Sequence, residues 1–92
     1  MNIVEYTLAG NDTLSKPVIE AILALAPGEI RGYYPLASEL MEIAPVQYKT
    51  VTGLFRTLDM LGYIVISPPA RGRFYEPGQG RFVTRTAKVA NA

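Results

Sequence analysis

Cysteine, histidine and tryptophan are all absent from the 92 residues. Without cysteine there is no disulfide, no thiolate nucleophile and no thiolate metal ligand. Without histidine the chain loses the commonest general base and the commonest zinc ligand together. No metal and no cofactor are therefore expected. No apolar run approaches the roughly 20 residues that span a bilayer, so no membrane association is expected. Met1-Asn2-Ile3-Val4-Glu5 has neither the basic start nor the apolar stretch of a signal peptide. The expected compartment is the cytoplasm. The remaining polar residues do not assemble a catalytic set. Glu39 and Glu42 are the only close carboxylates on a helical stretch, with no base or ligand beside them. Ser15 and Ser38 lack a base partner. Gly72, Gly78 and Gly80 are not followed by the Lys and Ser/Thr of a phosphate-cradling loop. The inventory points to a protein that binds rather than catalyses.

What remains is apolar and sparsely charged, at 49% hydrophobic and 18% charged residues, which argues for a folded chain. Its length fits one domain, 1–92. The net charge of +1 conceals an uneven distribution. Residues 1–45 hold two bases (Lys16, Arg31) against six acids (Glu5, Asp12, Glu20, Glu29, Glu39, Glu42), or −4. Residues 46–92 hold seven bases (Lys49, Arg56, Arg71, Arg73, Arg81, Arg85, Lys88) against two acids (Asp59, Glu76), or +5. Such asymmetry suggests a face built for a polyanion.

Along the chain, Ile3, Val4, Tyr6 and Leu8 suggest an edge strand or arm over 2–8, ended by Gly10-Asn11-Asp12. A first helix is expected from Ser15, an N-cap residue type, with Pro17 in the first turn and Val18, Ile19, Ile22, Leu23 and Leu25 as its stripe. Pro27-Gly28 stops it, and residues 29–33 suggest a brief strand. A second helix is expected from Pro35, with Leu36, Ala37, Leu40 and Ile43 at helical spacing, broken by Pro45. A third runs from Val46 or Gln47 to Leu61 on Val51, Leu54, Phe55, Leu58 and Leu61, with Gly62 as its C-terminal cap. Residues 63–67 and 81–86 have strand composition and suggest a hairpin with a long Pro-, Gly- and Arg-rich tip over 68–80. Pairing of Phe74-Tyr75 with 63–66 is an alternative register. The tail 87–92 is expected to be flexible.

At Thr50-Val51-Thr52, Leu58 and Gly62-Tyr63-Ile64, with Leu36-Ala37 upstream, the chain resembles winged helix-turn-helix DNA-binding domains, MarR-type proteins among them. The resemblance covers about residues 15–86. It implies an α+β fold of three helices with a small antiparallel β-hairpin wing. The Leu-Ala pair stands about one turn farther from the Thr-Val pair than in the usual pattern, and Gln47 stands where a serine cap is common. The resemblance also implies DNA contacts from the first-turn positions, here Gln47, Tyr48 and Lys49.

The residues themselves add to that set. At 100° per residue, Lys49, Thr52, Gly53, Arg56 and Met60 oppose the apolar stripe of the third helix, with no acid among them. Lys and Arg can meet phosphate or guanine edges, and a threonine hydroxyl can donate or accept. Tyr48 flanks this face and can reach either the second helix or a phosphate. Gly53 in mid-helix costs roughly 1 kcal/mol against alanine and would admit a groove wall closely. Arg71 and Arg73 at the wing tip can follow a phosphate backbone. Arg81 and Arg85, four apart on a strand, share a face and either extend the basic patch or solvate an edge strand. The expected partner is double-stranded DNA, bound by a small transcriptional regulator that reads the major groove, with a homodimer as one route to specificity. The alternative is a winged-helix protein-interaction module or inhibitor, for example a phage-encoded one, that works through a protein partner.

Overall fold

The clearest amphipathic pattern in the chain forms its longest helix. The computed structural model describes residues 3–8, 13–67 and 80–89. Within them the helices are α1 (Ile3–Leu8), α2 (Lys16–Leu23), α3 (Tyr33–Ile43) and α4 (Tyr48–Met60). The strands are β1 (Ile30–Gly32), β2 (Ile64–Ser67) and β3 (Phe82–Arg85). The class is α+β, as expected, with four helices and a three-stranded antiparallel sheet in the order β1-β3-β2.

α4 sits against α3 on one side and β2 on the other. Val51, Leu54, Phe55 and Leu58 are fully buried, so the expected phase of this helix is correct. Val18, Ile19 and Ile22 of α2, Leu36, Ala37 and Leu40 of α3, Ile64 of β2 and Val83 of β3 complete the centre of the core. α4 ends as its sequence dictates. Gly62 adopts φ +87°, a left-handed conformation that a side chain would strain. Its N–H donates to the Asp59 carbonyl at 3.0 Å, and the Tyr63 N–H donates to the Leu58 carbonyl at 2.9 Å. This paired arrangement satisfies two of the carbonyls that a helix end leaves open.

Several elements differ from expectation. Residues 3–8 are helical, not a strand or arm. Ile3 and Thr7 are buried while Val4 and Leu8 are half-buried. That is helical spacing, and it directs one face of α1 onto α2. The apolar N-terminal stretch is thus spent on the chain's own core. α2 starts after a 3-10 turn, Thr13–Ser15, and ends at Leu23, before the expected Leu25. Ser15 occupies the N-cap position, but its buried hydroxyl makes no capping bond. α3 begins at Tyr33, two residues before Pro35. Pro35 still lies in the first turn, where helix N–H groups have no internal partner.

The expected hairpin exists, in the register Ile64↔Arg85 to Ser67↔Phe82. This pairing replaces the alternative through Phe74-Tyr75, residues outside the described set. The hairpin is also not alone. β1 pairs along the other edge of β3, from Ile30↔Thr84 to Gly32↔Phe82. The expected brief strand therefore joins the sheet, and β3 becomes its central strand. Residues 87–89 are not a loose tail, since Lys88 donates through Nζ to the Leu61 carbonyl at 2.7 Å and its N–H donates to the Thr86 hydroxyl.

Leu58 has no exposure and lies at the middle of the α4 stripe. Leu58→Ala is expected to cost about 2–5 kcal/mol, read as a large drop in the thermal midpoint. A midpoint within a degree or two of the parent would contradict this account of the core.

Candidate nucleic-acid interface

The face of α4 that points away from the core carries the residues singled out by sequence. Gln47 is the N-cap, in extended conformation and exposed, with no side-chain capping bond. Lys49 and Arg56 are exposed, and neither forms an ion pair among the described residues. Thr52 is half-buried, and its hydroxyl donates to the Lys49 carbonyl at 3.0 Å. Its proton is therefore used within the helix, which leaves the oxygen outward as an acceptor. Met60 extends the same face and is 81% exposed. The helix's acid, Asp59, is exposed near its C-terminal end.

Gly53 occupies the middle of this face. A Cβ built there would meet nothing within 4 Å, and its backbone is not in the left-handed region. Among the described residues, neither packing nor backbone geometry requires glycine at this position.

Tyr48 connects the face to α3. Its ring stacks on that of Tyr34, with centroids 6.4 Å apart and planes 10° from parallel. Both expected roles remain open to it, because packing against α3 leaves it 41% exposed. Tyr33 meets Tyr34 edge-on at 5.3 Å and buried Phe55 edge-on at 5.0 Å. The Arg81 guanidinium lies over the Tyr33 ring, 4.6 Å from its centroid. Burial raises the Tyr33 phenol above its ordinary pKa, against the opposing pull of Arg81. Tyr48 is raised by partial burial and by the neighbouring Tyr33 and Tyr34. Both phenols thus remain hydrogen-bond donors across the neutral range.

Tyr33 and Tyr34 were not among the sequence candidates. A signal existed in the tyrosine doublet directly before Pro35, at the mouth of a helix. Sequence alone did not reveal that α3 starts there, beside the first turn of α4.

The four candidate arginines outside α4 have different fates. Arg71 and Arg73 lie outside the described residues. Arg81 and Arg85 do share a face, as expected, but it is the inner one. Arg81 is half-buried, with its Nε enclosed and without a hydrogen-bond partner. Arg85 is only 5% exposed, so it is not part of an exterior basic patch. Its Nη1 donates to the carbonyls of Tyr63 (3.1 Å), Thr86 (2.9 Å) and Lys88 (3.1 Å). Nε reaches the Leu23 carbonyl at the end of α2, at 3.4 Å. Lys88 is likewise engaged, on the Leu61 carbonyl and over the Tyr63 ring at 4.6 Å.

Other charges are neutralised locally. Arg31 pairs with Glu29 at 3.4 Å and with Glu39 of α3. On the outer face of the sheet, Ile30, Val65 and Phe82 are 63%, 49% and 44% exposed. Among the described residues no group of three or more acids could hold a metal ion, and no helix is long and apolar enough to cross a membrane.

No protein-family model matches the chain, and neither a curated protein nor a solved structure matches it.

The burial of Arg85 among carbonyls makes it a stability residue. Arg85→Ala is expected to lower folding stability by about 2–4 kcal/mol, because several carbonyls lose a charged donor together. Arg85→Lys should fall between the two, since one ammonium cannot reach all four oxygens. Urea titration measures both. A midpoint unchanged in Arg85→Ala would return this residue to the surface patch.

Proposed function

We propose that this chain is a winged-helix DNA-binding protein that presents α4 to the major groove of a duplex, with the β2–β3 hairpin as the wing on the adjacent backbone. The order of α2, β1, α3, α4 and the hairpin is compatible with that arrangement. The observation that carries the reading is the outward face of α4. Among the described residues Lys49 and Arg56 form no ion pair there, Thr52 offers an acceptor, and Gly53 leaves open space between them. A mid-helix glycine with no internal neighbour suits a surface that something else approaches closely. Base edges are read by such groups on a rigid helix, while cations on loops meet phosphate. Occlusion of a promoter is the simplest action for such a domain.

The outer sheet face favours a second reading, the protein-interaction module. Ile30, Val65 and Phe82 share that face with their apolar surfaces in water, and exposed apolar patches often mark protein contacts. Binding to duplex DNA separates the two readings.

Of the seven C-terminal bases, Arg85 and Lys88 are committed to backbone carbonyls. Five remain: Lys49, Arg56, Arg71, Arg73 and Arg81. If each meets a phosphate, log K for random duplex falls against log salt with a slope of about −4.5, at roughly −0.9 per contact. A gel-shift series over several salt concentrations measures it. No shift at low salt, or a flat response, removes the DNA reading.

Gly53→Ala provides a test with opposite signs. The free protein should gain about 0.5–1 kcal/mol, since alanine favours the helix and meets no obstacle. Duplex affinity should fall, because the added methyl enters the approach surface. Thermal melts and binding isotherms on the same variant decide it. Gained stability with unchanged affinity would show that nothing approaches Gly53.

A further inference from the structure

Three phenols and a guanidinium converge where α3, α4 and the start of β3 meet. Tyr33 and Tyr34 open α3, Tyr48 opens α4, and Arg81 immediately precedes β3. The main chain fixes this meeting point. The Tyr33 N–H donates to the Arg81 carbonyl at 2.8 Å, and the next residue pair, Gly32↔Phe82, belongs to the β1–β3 ladder. The side chains are fixed as well. Tyr33 is held edge-on between Phe55 and Tyr34, and Arg81 covers its ring. Outside this braced centre, Tyr34 and Tyr48 stack with 49% and 41% of their surfaces in water.

We propose that the Tyr34–Tyr48 pair, backed by the Arg81 guanidinium, is an oxyanion seat that takes one phosphodiester of duplex DNA beside the first turn of α4. This rests on the DNA-binding reading and adds a contact that the α4 face does not contain. The chemistry is that of phosphate recognition. Phenol hydroxyls and backbone-anchored arginine supply donors without a competing carboxylate, and phosphate oxygens accept several at once. Among the described residues, the ion pairs of Glu29 and Glu39 are with Arg31, not with Arg81. The Arg81 guanidinium lies over the Tyr33 ring and forms no ion pair among the described residues, so no carboxylate there neutralises its charge. The Tyr48 phenol, raised by partial burial and by its tyrosine neighbours, keeps its proton at neutral pH and donates to an anion there. Because the seat flanks Lys49 rather than the middle of α4, it fixes the helix's position along the groove without reading a base.

The test is a double substitution that removes only oxygen atoms. Tyr34→Phe with Tyr48→Phe retains both rings and their stack, and an unchanged thermal midpoint verifies the fold. Binding of parent and variant to cognate and to random duplex is then compared, with phosphate-ethylation interference on each. The seat predicts a loss of about tenfold, equal on both duplexes, as expected for hydrogen bonds to a charged group. It also predicts that ethylating one particular phosphate blocks the parent but no longer affects the variant. Arg81→Gln should reduce the salt slope by about 0.9, one phosphate. If the parent binds duplex and the Phe variant binds equally well, the seat is wrong and the DNA reading survives. If the parent binds no duplex, millimolar inorganic phosphate is the second probe. Shifts of the Tyr34 and Tyr48 ring resonances, absent in Arg81→Gln, would assign the seat to a free phosphate. Unmoved resonances would overturn it along with the DNA reading.

Discussion

Arg85 joins four segments of this protein to its central strand. Its main chain receives the Gly28 N–H at 2.7 Å and donates to the Glu29 carbonyl at 2.9 Å, which locks the entry to β1. Its guanidinium gathers carbonyls from the end of α2, from the residue before β2 and from the segment after β3. A buried charge is costly unless its donors are satisfied. Here the compensation comes from backbone dipoles rather than from a carboxylate. The Leu23 carbonyl belongs to the negative end of α2, where a cation is favoured. With β3 central in the sheet, one residue, through its main chain and side chain together, thus ties the ends of four segments to the strand that holds them together.

That arrangement leaves α4 as the element with two distinct faces. Its inner face is fixed by Val51, Leu54, Phe55 and Leu58, all fully buried. Its ends are fixed by Gln47 in extended conformation and by the Gly62 turn, with Lys88 on the Leu61 carbonyl. A helix anchored along its length and at its end can present its outer residues rigidly. Rigidity is what base readout requires, and the aromatic brace at Tyr33, Tyr34 and Tyr48 supplies it at the N-terminal end as well.

The basic surplus of the second half of the chain therefore divides into two jobs. Arg85, buried, and Lys88, exposed, both bond backbone carbonyls at helix ends and strand junctions. Lys49 and Arg56 stand outside, and Arg81 lies between the two groups, half-buried yet incompletely bonded. Of the six acids in the first half, Glu29 and Glu39 pair with Arg31. A charge count along a sequence sums these roles, although only the exterior cations can contact a polyanion directly.

Much of α4 was legible in the sequence, because a 3.6-residue period specifies both a helix and its buried face. The Gly62 stop and the strands at 64–67 and 82–85 were legible for similarly local reasons, positive φ and β-rich composition. The open face of α4 followed from the same period, and with it Lys49, Thr52, Gly53 and Arg56. The sequence placed Arg81 and Arg85 on one face of a strand, yet a two-residue period does not say which face is inside. Only the packing of the sheet on α3 and α4 turned them inward. Residues 3–8 carry strand-forming types, but docking on α2 rewarded helical spacing and overrode that propensity. Tyr48, Arg81 and the tyrosine doublet before Pro35 were each visible in the sequence, but their assembly into one cluster was not. Its members lie on α3, α4 and the approach to β3, and only the tertiary fold brings such distant segments within contact distance.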